Sequence, residues 1–151
     1  MPKLKTYSDL EQAFERFHPL LALREEAVHK GKERRELLIC GGTGCQSSNS
    51  KLLLQNLQEE IKKAGLEDKA VAHITGCFGF CEKGPIVKVF PDDVFYTEVS
   101  PEDAKDIVAE HLVKNDVVER LLYKDPARPG VSIERQHDMS FYKKQVRRAL
   151  Q

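Results

Sequence analysis

Hydrophobic and polar positions follow two different periods between residues 36 and 112, which predicts strands and helices in alternation. The apolar run ELLIC at 36–40 is typical of a buried strand, and AVAHIT at 70–75 predicts a second one. Between these strands, apolar residues recur at helical spacing, and Gly65 follows them as a helix stop. The face of this predicted helix consists of Leu53, Leu57, Ile61 and Ala64.

A β-hairpin and a second helix are predicted after residue 84. The apolar stretches PIVKVF and VFYTEV flank Pro91-Asp92-Asp93, which is typical of a turn. Ser100-Pro101-Glu102-Asp103 then supplies an N-cap, a proline at the first helical position and early acidic residues. This helix continues through Ala104, Ile107, Val108 and Leu112. The order β-α-β-β-β-α places this part of the chain in the α/β class.

The N-terminal residues predict a helical extension. Ser8 with Glu11 fits a capping box, and Pro19 is predicted to interrupt the helix, leaving LALREEAVHKG as a second short helix. The charged stretch HKGKERRE is typical of a solvated connector. One face of the first helix carries Leu10, Phe14 and Phe17.

The pattern changes again beyond Tyr123. KDPARPGVSIERQHD contains prolines and a glycine and is typical of a linker, and SFYKKQVRRALQ predicts a basic helix. We therefore predict a helical extension at 1–35, a folded domain at 36–123, and a linker with the start of a missing neighbouring domain at 124–151. An alternative use of the basic helix is docking to an acidic partner through Lys143, Lys144, Arg147 and Arg148.

Charge and composition argue against nucleic-acid binding, membrane insertion and secretion. The 151 residues carry 24 Lys plus Arg against 24 Asp plus Glu, so no strong field attracts nucleic acid or an anionic membrane. The N-terminus lacks the apolar core of a secretory signal, and no run approaches the roughly 18 apolar residues of a membrane span. We therefore expect a cytoplasmic protein without nucleic-acid binding or membrane insertion.

The four cysteines are the main candidates for chemistry. ICGGTGC holds Cys40 and Cys45, and TGCFGFC holds Cys77 and Cys81. Cys40 ends the first predicted strand and Cys77 follows the second. The strands of a β-α-β unit are parallel, so their carboxyl ends share one edge of the sheet. Topology therefore predicts that the two pairs meet.

Four thiolates require a cation, and either a Cys₄ zinc site or a [2Fe–2S] cluster supplies it. The GGTG loop of Gly41, Gly42, Thr43 and Gly44 favours a cluster, because a tight glycine loop directs backbone N–H groups at its sulfurs. Phe78 and Phe80 are predicted to screen the site from water, although an ordinary core role explains them equally well.

Other interpretations stay open at this point. The cysteines could form disulfides or act as a thiol switch, although neither pair has the C-x-x-C spacing of thioredoxin-like exchangers. His73 is interpreted as a strand-face residue rather than a ligand. Glu82 and Lys83 either bias the local field or belong to an ordinary solvated turn.

CGGTGC, TGCFGFC followed by EKGPIVKVFP, and VFYTEVSPED together resemble the thioredoxin-like [2Fe–2S] ferredoxins over about residues 36–123. The resemblance implies a thioredoxin-like β-α-β-β-β-α ferredoxin domain that transfers one electron at a time. By the same resemblance, Cys40, Cys45, Cys77 and Cys81 are the cluster ligands. The zinc-stabilised docking module remains the alternative from a different functional class.

A finer resemblance concerns EHLVKNDVVERLLY and FYKKQVRRAL, which look like the junction of this domain with a flavin-binding domain. It implies the N-terminal part of the NADH-oxidising subunit of an NAD(P)-linked hydrogenase or complex I-type assembly. FMN and NAD(H) would then bind only in the full-length subunit or a partner, and the chain alone would be an electron carrier. A free-standing ferredoxin and a homo-oligomer are the arrangements left open.

Overall fold

The computed structural model describes residues 6–22 and 34–145. In chain order the elements are α1 (Tyr7–Ala22), β1 (Arg35–Cys40), α2 (Thr43–Ser47), α3 (Ser50–Lys63), β2 (Ala70–Thr75), β3 (Val87–Phe90), β4 (Val94–Tyr96), α4 (Ala104–Asp106), β5 (Tyr123–Lys124), β6 (Ser132–Ile133) and α5 (Ser140–Lys143). α4 begins with a 3-10 turn at Pro101–Asp103 and continues as a π-helix over Ile107–Lys114. Further 3-10 turns occur at Cys81–Lys83, Glu119–Leu121 and Gln136–Asp138.

A four-stranded mixed sheet in the order β2-β1-β3-β4 forms the centre of the fold. β1 is parallel to β2 and antiparallel to β3, which forms the predicted hairpin with β4. β1 has a neighbouring strand at each edge, and its side chains are buried on both faces because Leu37 and Ile39 enter one core and Cys40 enters another. The predicted α/β class and the order β-α-β-β-β-α are confirmed, with a thioredoxin-like ferredoxin fold.

The two faces of the sheet bury different cores, because successive side chains of a strand point to opposite sides. Leu37 and Ile39 of β1 pack with α3 and the α4 helix in the main core, which also contains the predicted face residues of both helices except Ala64. Ala64 is exposed, because α3 has already ended at Lys63. Cys40 and Phe95 instead belong to a separate group, the cysteine-side cluster. Its members are Cys40, Cys45, Phe80, Ile86, Phe95, Tyr123, Ile133, Met139 and Tyr142.

Helix boundaries agree with the sequence in the centre of the chain. α3 ends one residue before Ala64, and Gly65 follows with φ of +66°, a conformation that favours glycine. The expected N-cap at Ser100 is present and forms a capping box with Asp103: the Ser100 amide N–H and hydroxyl donate to the Asp103 carboxylate at 2.7 and 2.8 Å. Both signals are local, so the sequence alone sufficed to place them.

Two predictions for the N-terminal helix are wrong. The capping residues are Thr6 and Asp9 rather than Ser8 and Glu11, because Thr6 and Asp9 exchange backbone-to-side-chain hydrogen bonds. Pro19 lies inside α1 instead of interrupting it. Near the end of a helix, proline removes a single hydrogen bond, and the chain tolerates that loss here. The predicted second short helix and connector fall largely on residues 23–33, outside the described residues.

The segment predicted as a linker is folded where the structure describes it. β5 pairs with β6, and the Phe95 N–H donates to the Glu134 carbonyl at 2.7 Å, which adds residues beside β4. Ile133, Met139 and Tyr142 of this C-terminal segment, residues 124–143, are buried in the cysteine-side cluster. The linker expectation failed because β-pairing and burial with distant residues outweigh its proline- and glycine-rich composition. The domain division itself stays a prediction.

A polar network joins the hairpin turn to the helix that follows it; it is buried at Tyr96 and His111 and open to solvent at Asp92. The His111 ring bonds the Tyr96 hydroxyl at 2.7 Å and an Asp92 carboxylate oxygen at 3.0 Å, and the Arg35 Nε donates to the same oxygen at 2.7 Å. Burial would raise the pKa of Asp92, but the hydrogen bonds from His111 and Arg35 and the Arg35 charge lower the pKa to about 2.

We expect Asp92→Asn to lower the free energy of unfolding at pH 7 by about 1 kcal/mol, because the paired carboxylate is lost and solvent around this exposed residue screens part of the pairing. A depressed carboxyl pKa stabilises the fold above the unfolded pKa of 3.8, and that contribution disappears as pH falls towards 2. The two proteins should therefore differ at pH 7 and converge near pH 2, measured by urea unfolding followed by far-UV circular dichroism. Asp116→Asn, at an exposed position, is the control and should leave the unfolding midpoint unchanged. An equal loss at both pH values would contradict the assignment.

Candidate metal centre

Parallel pairing of β1 and β2 brings the four cysteines to one edge of the sheet. Cys40 is the last residue of β1 and pairs with Thr75, and Cys77 follows two residues later. The Gly41 N–H donates to the Thr75 carbonyl at 3.0 Å, which holds the two loops together as they leave the strands. Cys45 lies in the short helix α2, and Cys81 begins the 3-10 turn Cys81–Lys83.

The cysteine sulfurs lie close to one another. The sulfurs of Cys77 and Cys81 are 4.0 Å apart. A Cβ atom on Gly42 would lie 3.0 Å from the Cys77 sulfur and 3.7 Å from the Cys40 sulfur, so both sulfurs adjoin that glycine. The Cys40 thiol also interacts with the Cys45 side chain. The convergence predicted from topology is therefore present in the structure.

Backbone N–H groups point at two of the sulfurs. The Gly79 N–H donates to the Cys77 sulfur at 3.3 Å, and the amides of Phe78 and Gly42 bond the Cys40 sulfur. Burial would raise the pKa of Cys40, but these amide hydrogen bonds and the neighbouring thiols leave the pKa below its ordinary value. The site can therefore stabilise negative charge on sulfur.

The other two thiols show the repulsion expected among crowded sulfurs. Burial first, and then the nearby Cys40, Cys81 and Cys77, raise the pKa of Cys45 to about 12. The Cys77 side chain raises the pKa of Cys81 in the same way. Four thiolates in this space would repel one another unless a cation neutralised them, as expected for a set of metal ligands.

Glycines 42 and 84 provide the space that the sulfurs occupy. A Cβ on Gly84 would lie 2.5 Å from the Cys45 sulfur, far inside van der Waals contact. Gly84 has an extended backbone with φ of −81°, so space rather than an unusual conformation explains the glycine. This cradle and the all-thiol donor set fit a [2Fe–2S] cluster with Cys40, Cys45, Cys77 and Cys81 as its four thiolates.

The spacing of the sulfurs bears on the zinc alternative. Two thiolates on one tetrahedral metal with bonds of about 2.3 Å stand about 3.8 Å apart, close to the separation of Cys77 and Cys81. Across residues 6–22 and 34–145, no group of three or more Cys, His, Asp or Glu side chains is gathered so as to hold one ion. The separation of Cys77 and Cys81 therefore suits two thiolates on one tetrahedral metal, in a zinc site and in a cluster alike.

The other residues predicted at the site have separate positions. A Cβ on Gly41 would clash with the Thr75 carbonyl at 2.5 Å. This glycine therefore permits the close approach of β2 and does not make room for a sulfur. A Cβ on Gly44 would lie 3.9 Å from the Cys81 Cβ, which is an ordinary contact distance. Thr43 is exposed at the start of α2. His73 is exposed on β2, as expected for a strand-face residue.

Phe78 and Phe80 form an aromatic wall beside the cysteines. Phe78 packs edge-on against Phe95 with ring centres 5.4 Å apart, and Phe80 stacks on Phe141 at 4.7 Å. Phe80 also contacts the ring of Tyr123 edge-on. The two phenylalanines therefore have the core role, in the same apolar group as Cys40 and Cys45, and their screening of the site from water stays a prediction.

Sequence reasoning missed Gly84 and Tyr142. Gly84 stands in EKGP, which is typical of an ordinary turn, and its importance depends on a cysteine 39 positions earlier. The Tyr142 hydroxyl donates to the Phe78 carbonyl at 2.8 Å. No local pattern indicates that contact, because 64 residues separate its two partners.

Lys83, in the turn after Cys81, pairs with Glu98 at 3.5 Å.

Comparisons with known proteins give a consistent result. Residues 27–112 match the family model described as thioredoxin-like [2Fe–2S] ferredoxin. A protein described as "Ferredoxin, 2Fe-2S" from Clostridium pasteurianum is 39% identical over 77 residues, covering 51% of this chain and 76% of its own length. One of the same description from Aquifex aeolicus is 38% identical over 88 residues, covering 58% and 79%.

Solved structures give the same result. The 1.5 Å crystal structure of the thioredoxin-like [2Fe–2S] ferredoxin from Aquifex aeolicus superposes with a TM-score of 0.55 at 35% identity, covering 59% of this chain and 95% of that chain. A second structure of such a ferredoxin from Aquifex aeolicus gives a TM-score of 0.56 at 33% identity, covering 66% of this chain and 98% of that chain.

Within the described residues, none of the helices has the length and apolar character needed to cross a membrane.

Proposed function

The chain belongs to the thioredoxin-like [2Fe–2S] ferredoxin family, and on that premise we propose that its four cysteines hold a cluster that carries one electron at a time. The observation that carries the proposal is the meeting of Cys40, Cys45, Cys77 and Cys81 at the carboxyl ends of β1 and β2. When bound, the cluster supplies the reversible one-electron chemistry, and the protein supplies orientation, shielding and electrostatics.

The residues around the sulfurs would set how readily the cluster is reduced. Amide N–H groups of Gly42, Phe78 and Gly79 donate to sulfur and stabilise added negative charge. The aromatic wall of Phe78 and Phe80 limits access of water on one side, and low solvent exposure disfavours the more charged state. The balance of these opposing effects determines the potential.

For the wider context, we propose the N-terminal part of an NADH-oxidising subunit of a hydrogenase or complex I-type assembly, in the cytoplasm. The support is the resemblance of EHLVKNDVVERLLY and FYKKQVRRAL to the junction with a flavin-binding domain. FMN and NAD(H) would be bound outside this chain, by the rest of the subunit or a partner. Electrons would pass between that flavin and the cluster held by this chain.

The second candidate is a free-standing ferredoxin. It is favoured by the relatives, which are small ferredoxins matched over 76% and 79% of their own length. The partner distinguishes the two candidates. Co-purification of the native protein with a flavin-containing, NADH-oxidising polypeptide supports the first, and isolation as an independent carrier supports the second.

We expect anaerobically prepared protein to contain about two irons and two sulfides per chain, a visible absorption band, and a paramagnetic signal after dithionite reduction. Cys45→Ser should lose the cluster or change its absorption and potential, because serine supplies an oxygen where a buried thiolate is placed. Iron, sulfide and zinc analysis with electron paramagnetic resonance (EPR) tests both expectations.

The control is Ser47→Ala, two residues further along α2, where the exposed hydroxyl donates to the Thr43 carbonyl at 3.1 Å. It should keep wild-type iron and spectra. One zinc per chain without colour, even after iron reconstitution, would instead favour the zinc-stabilised docking module. A Cys45→Ser protein with wild-type absorption and potential would refute the ligand assignment.

A further inference from the structure

One peptide group connects the C-terminal segment to a cysteine sulfur. The carbonyl of the Phe78–Gly79 peptide accepts a hydrogen bond from the Tyr142 hydroxyl at 2.8 Å. The N–H of the same peptide donates to the Cys77 sulfur at 3.3 Å. Because a peptide group is planar and trans, fixing the direction of its carbonyl also fixes the direction of its N–H.

We infer that Tyr142 is a positioning residue that sets the redox potential of the cluster through the Phe78–Gly79 peptide. The inference rests on the proposed function, since it concerns the cluster that the cysteines would hold. Tyr142 lies outside residues 27–112, the part matched by the family model. The potential would therefore depend on a segment that the family match does not include.

The loop needs such a support, because its own residues do not fix the peptide. Gly79 has φ of +78°, and glycine populates positive and negative φ about equally. The Phe78–Gly79 peptide can therefore rotate at low cost when nothing holds its carbonyl. A rotated peptide would turn its N–H away from the Cys77 sulfur, and the sulfur would lose a hydrogen-bond donor.

Tyr142 itself is firmly held. Its ring is buried in the cysteine-side cluster, with edge-on contacts to Phe80 and Phe95 at 6.0 and 6.1 Å. The start of α5 is fixed by the Ser140 hydroxyl, which donates to the buried Asp125 carboxylate at 3.0 Å. Asp125 also accepts the Ala127 N–H at 2.9 Å. The hydroxyl of Tyr142 is thus presented to the loop by packed and hydrogen-bonded neighbours.

The expected direction of the effect follows from charge. Reduction adds negative charge to the cluster and its sulfurs, and a hydrogen bond to the more negative state favours that state. The Gly79 N–H therefore favours the reduced form and raises the potential. Removing the Tyr142 hydroxyl frees the peptide and should lower the potential.

The test is Tyr142→Phe in the full-length chain with its cluster, which deletes the hydroxyl and keeps the ring. We expect wild-type iron content, a changed EPR signal, and a three- to tenfold lower ratio of reduced to oxidised cluster at a fixed potential. A tenfold change corresponds to 59 mV for a one-electron couple. A purely structural role in packing would leave the potential unmoved.

Tyr123→Phe is the matched control. Tyr123 is also buried in the cysteine-side cluster and contacts Phe80, but its hydroxyl has no hydrogen-bond partner within the described part of the chain. Its removal should leave the potential at the wild-type value. Ser140→Ala, which loosens the start of α5, should shift the potential in the same direction as Tyr142→Phe by a smaller amount.

The outcomes separate this inference from the proposed function. Wild-type protein without iron and sulfide would refute the proposed function. A loaded Tyr142→Phe protein with wild-type potential and EPR signal would overturn the inference alone. If Tyr142→Phe does not retain iron, Ser140→Ala decides: a lowered potential supports the inference, and an unchanged one overturns it.

Discussion

Gly84→Ala should remove most of the cluster, because the new methyl group would lie 2.5 Å from the Cys45 sulfur. Carbon and sulfur cannot approach so closely, and the sulfur would have to move by about 1 Å to reach ordinary contact. Metal–thiolate distances tolerate only about 0.2 Å. We expect iron and sulfide per chain to fall by more than half, and any remaining cluster to have altered absorption.

The chain offers a close control in Gly76→Ala. Gly76 directly precedes Cys77, has no positive φ, and a Cβ there would have nothing within 4 Å. This variant should retain wild-type iron and spectra. Thermal unfolding by far-UV circular dichroism should show that both variants fold, since Ala is compatible with the extended backbone at position 84. Full wild-type iron and spectra in Gly84→Ala would mean that Cys45 does not bind metal in the position seen here.

Removal of residues 124–151 should destabilise the whole domain and shorten the lifetime of its cluster. The deletion takes Ile133, Met139 and Tyr142 out of the cysteine-side cluster and exposes Phe80 and Phe95. Each buried apolar side chain contributes about 1.5–3 kcal/mol, so the free energy of unfolding should fall by about 4 kcal/mol or more. That is a large part of the roughly 5–15 kcal/mol available to a domain of this size.

Point variants within the C-terminal segment separate burial from simple shortening. Met139→Ala, at a fully buried side chain, should lower the free energy of unfolding by about 2–5 kcal/mol. Val131→Ala, at an exposed position in the same segment, should have little effect. If the truncated protein keeps its stability and its rate of iron loss in air, the segment is a dispensable linker, as the domain division at residue 123 predicts.

Local signals explain where sequence reasoning succeeded. The buried strand at β1, the hairpin turn, the N-cap at Ser100 and the stop at Gly65 each depend on residues within a few positions. The meeting of the cysteines was also predictable, because the carboxyl ends of parallel strands joined by a helix lie at one edge of a sheet. These features needed no knowledge of distant contacts.

The two main failures have different physical origins. Pro19 was expected to end α1, but a proline near the end of a helix removes a single hydrogen bond, which the helix tolerates. The segment 124–143 was interpreted from composition, and composition does not report which distant side chains a segment can bury. Ile133, Met139 and Tyr142 gain apolar contacts with residues 40–95, and that gain outweighs the turn-forming prolines and glycine between them. The expectation of a linker could not include the free energy gained by burying these side chains.

By itself, the sequence determined the α/β class, the order of strands and helices, and the four sulfurs that come together. Periodicity is a local property of the chain, and the order β-α-β already implies that both strands end at one edge of the sheet. Only the tertiary structure decided which glycines make room for sulfur, and that the C-terminal segment packs in the cysteine-side cluster and reaches the cysteine loop through Tyr142. These are contacts between residues 39 and 64 positions apart. Such contacts depend on the shape of the packed chain, which no short stretch of sequence encodes.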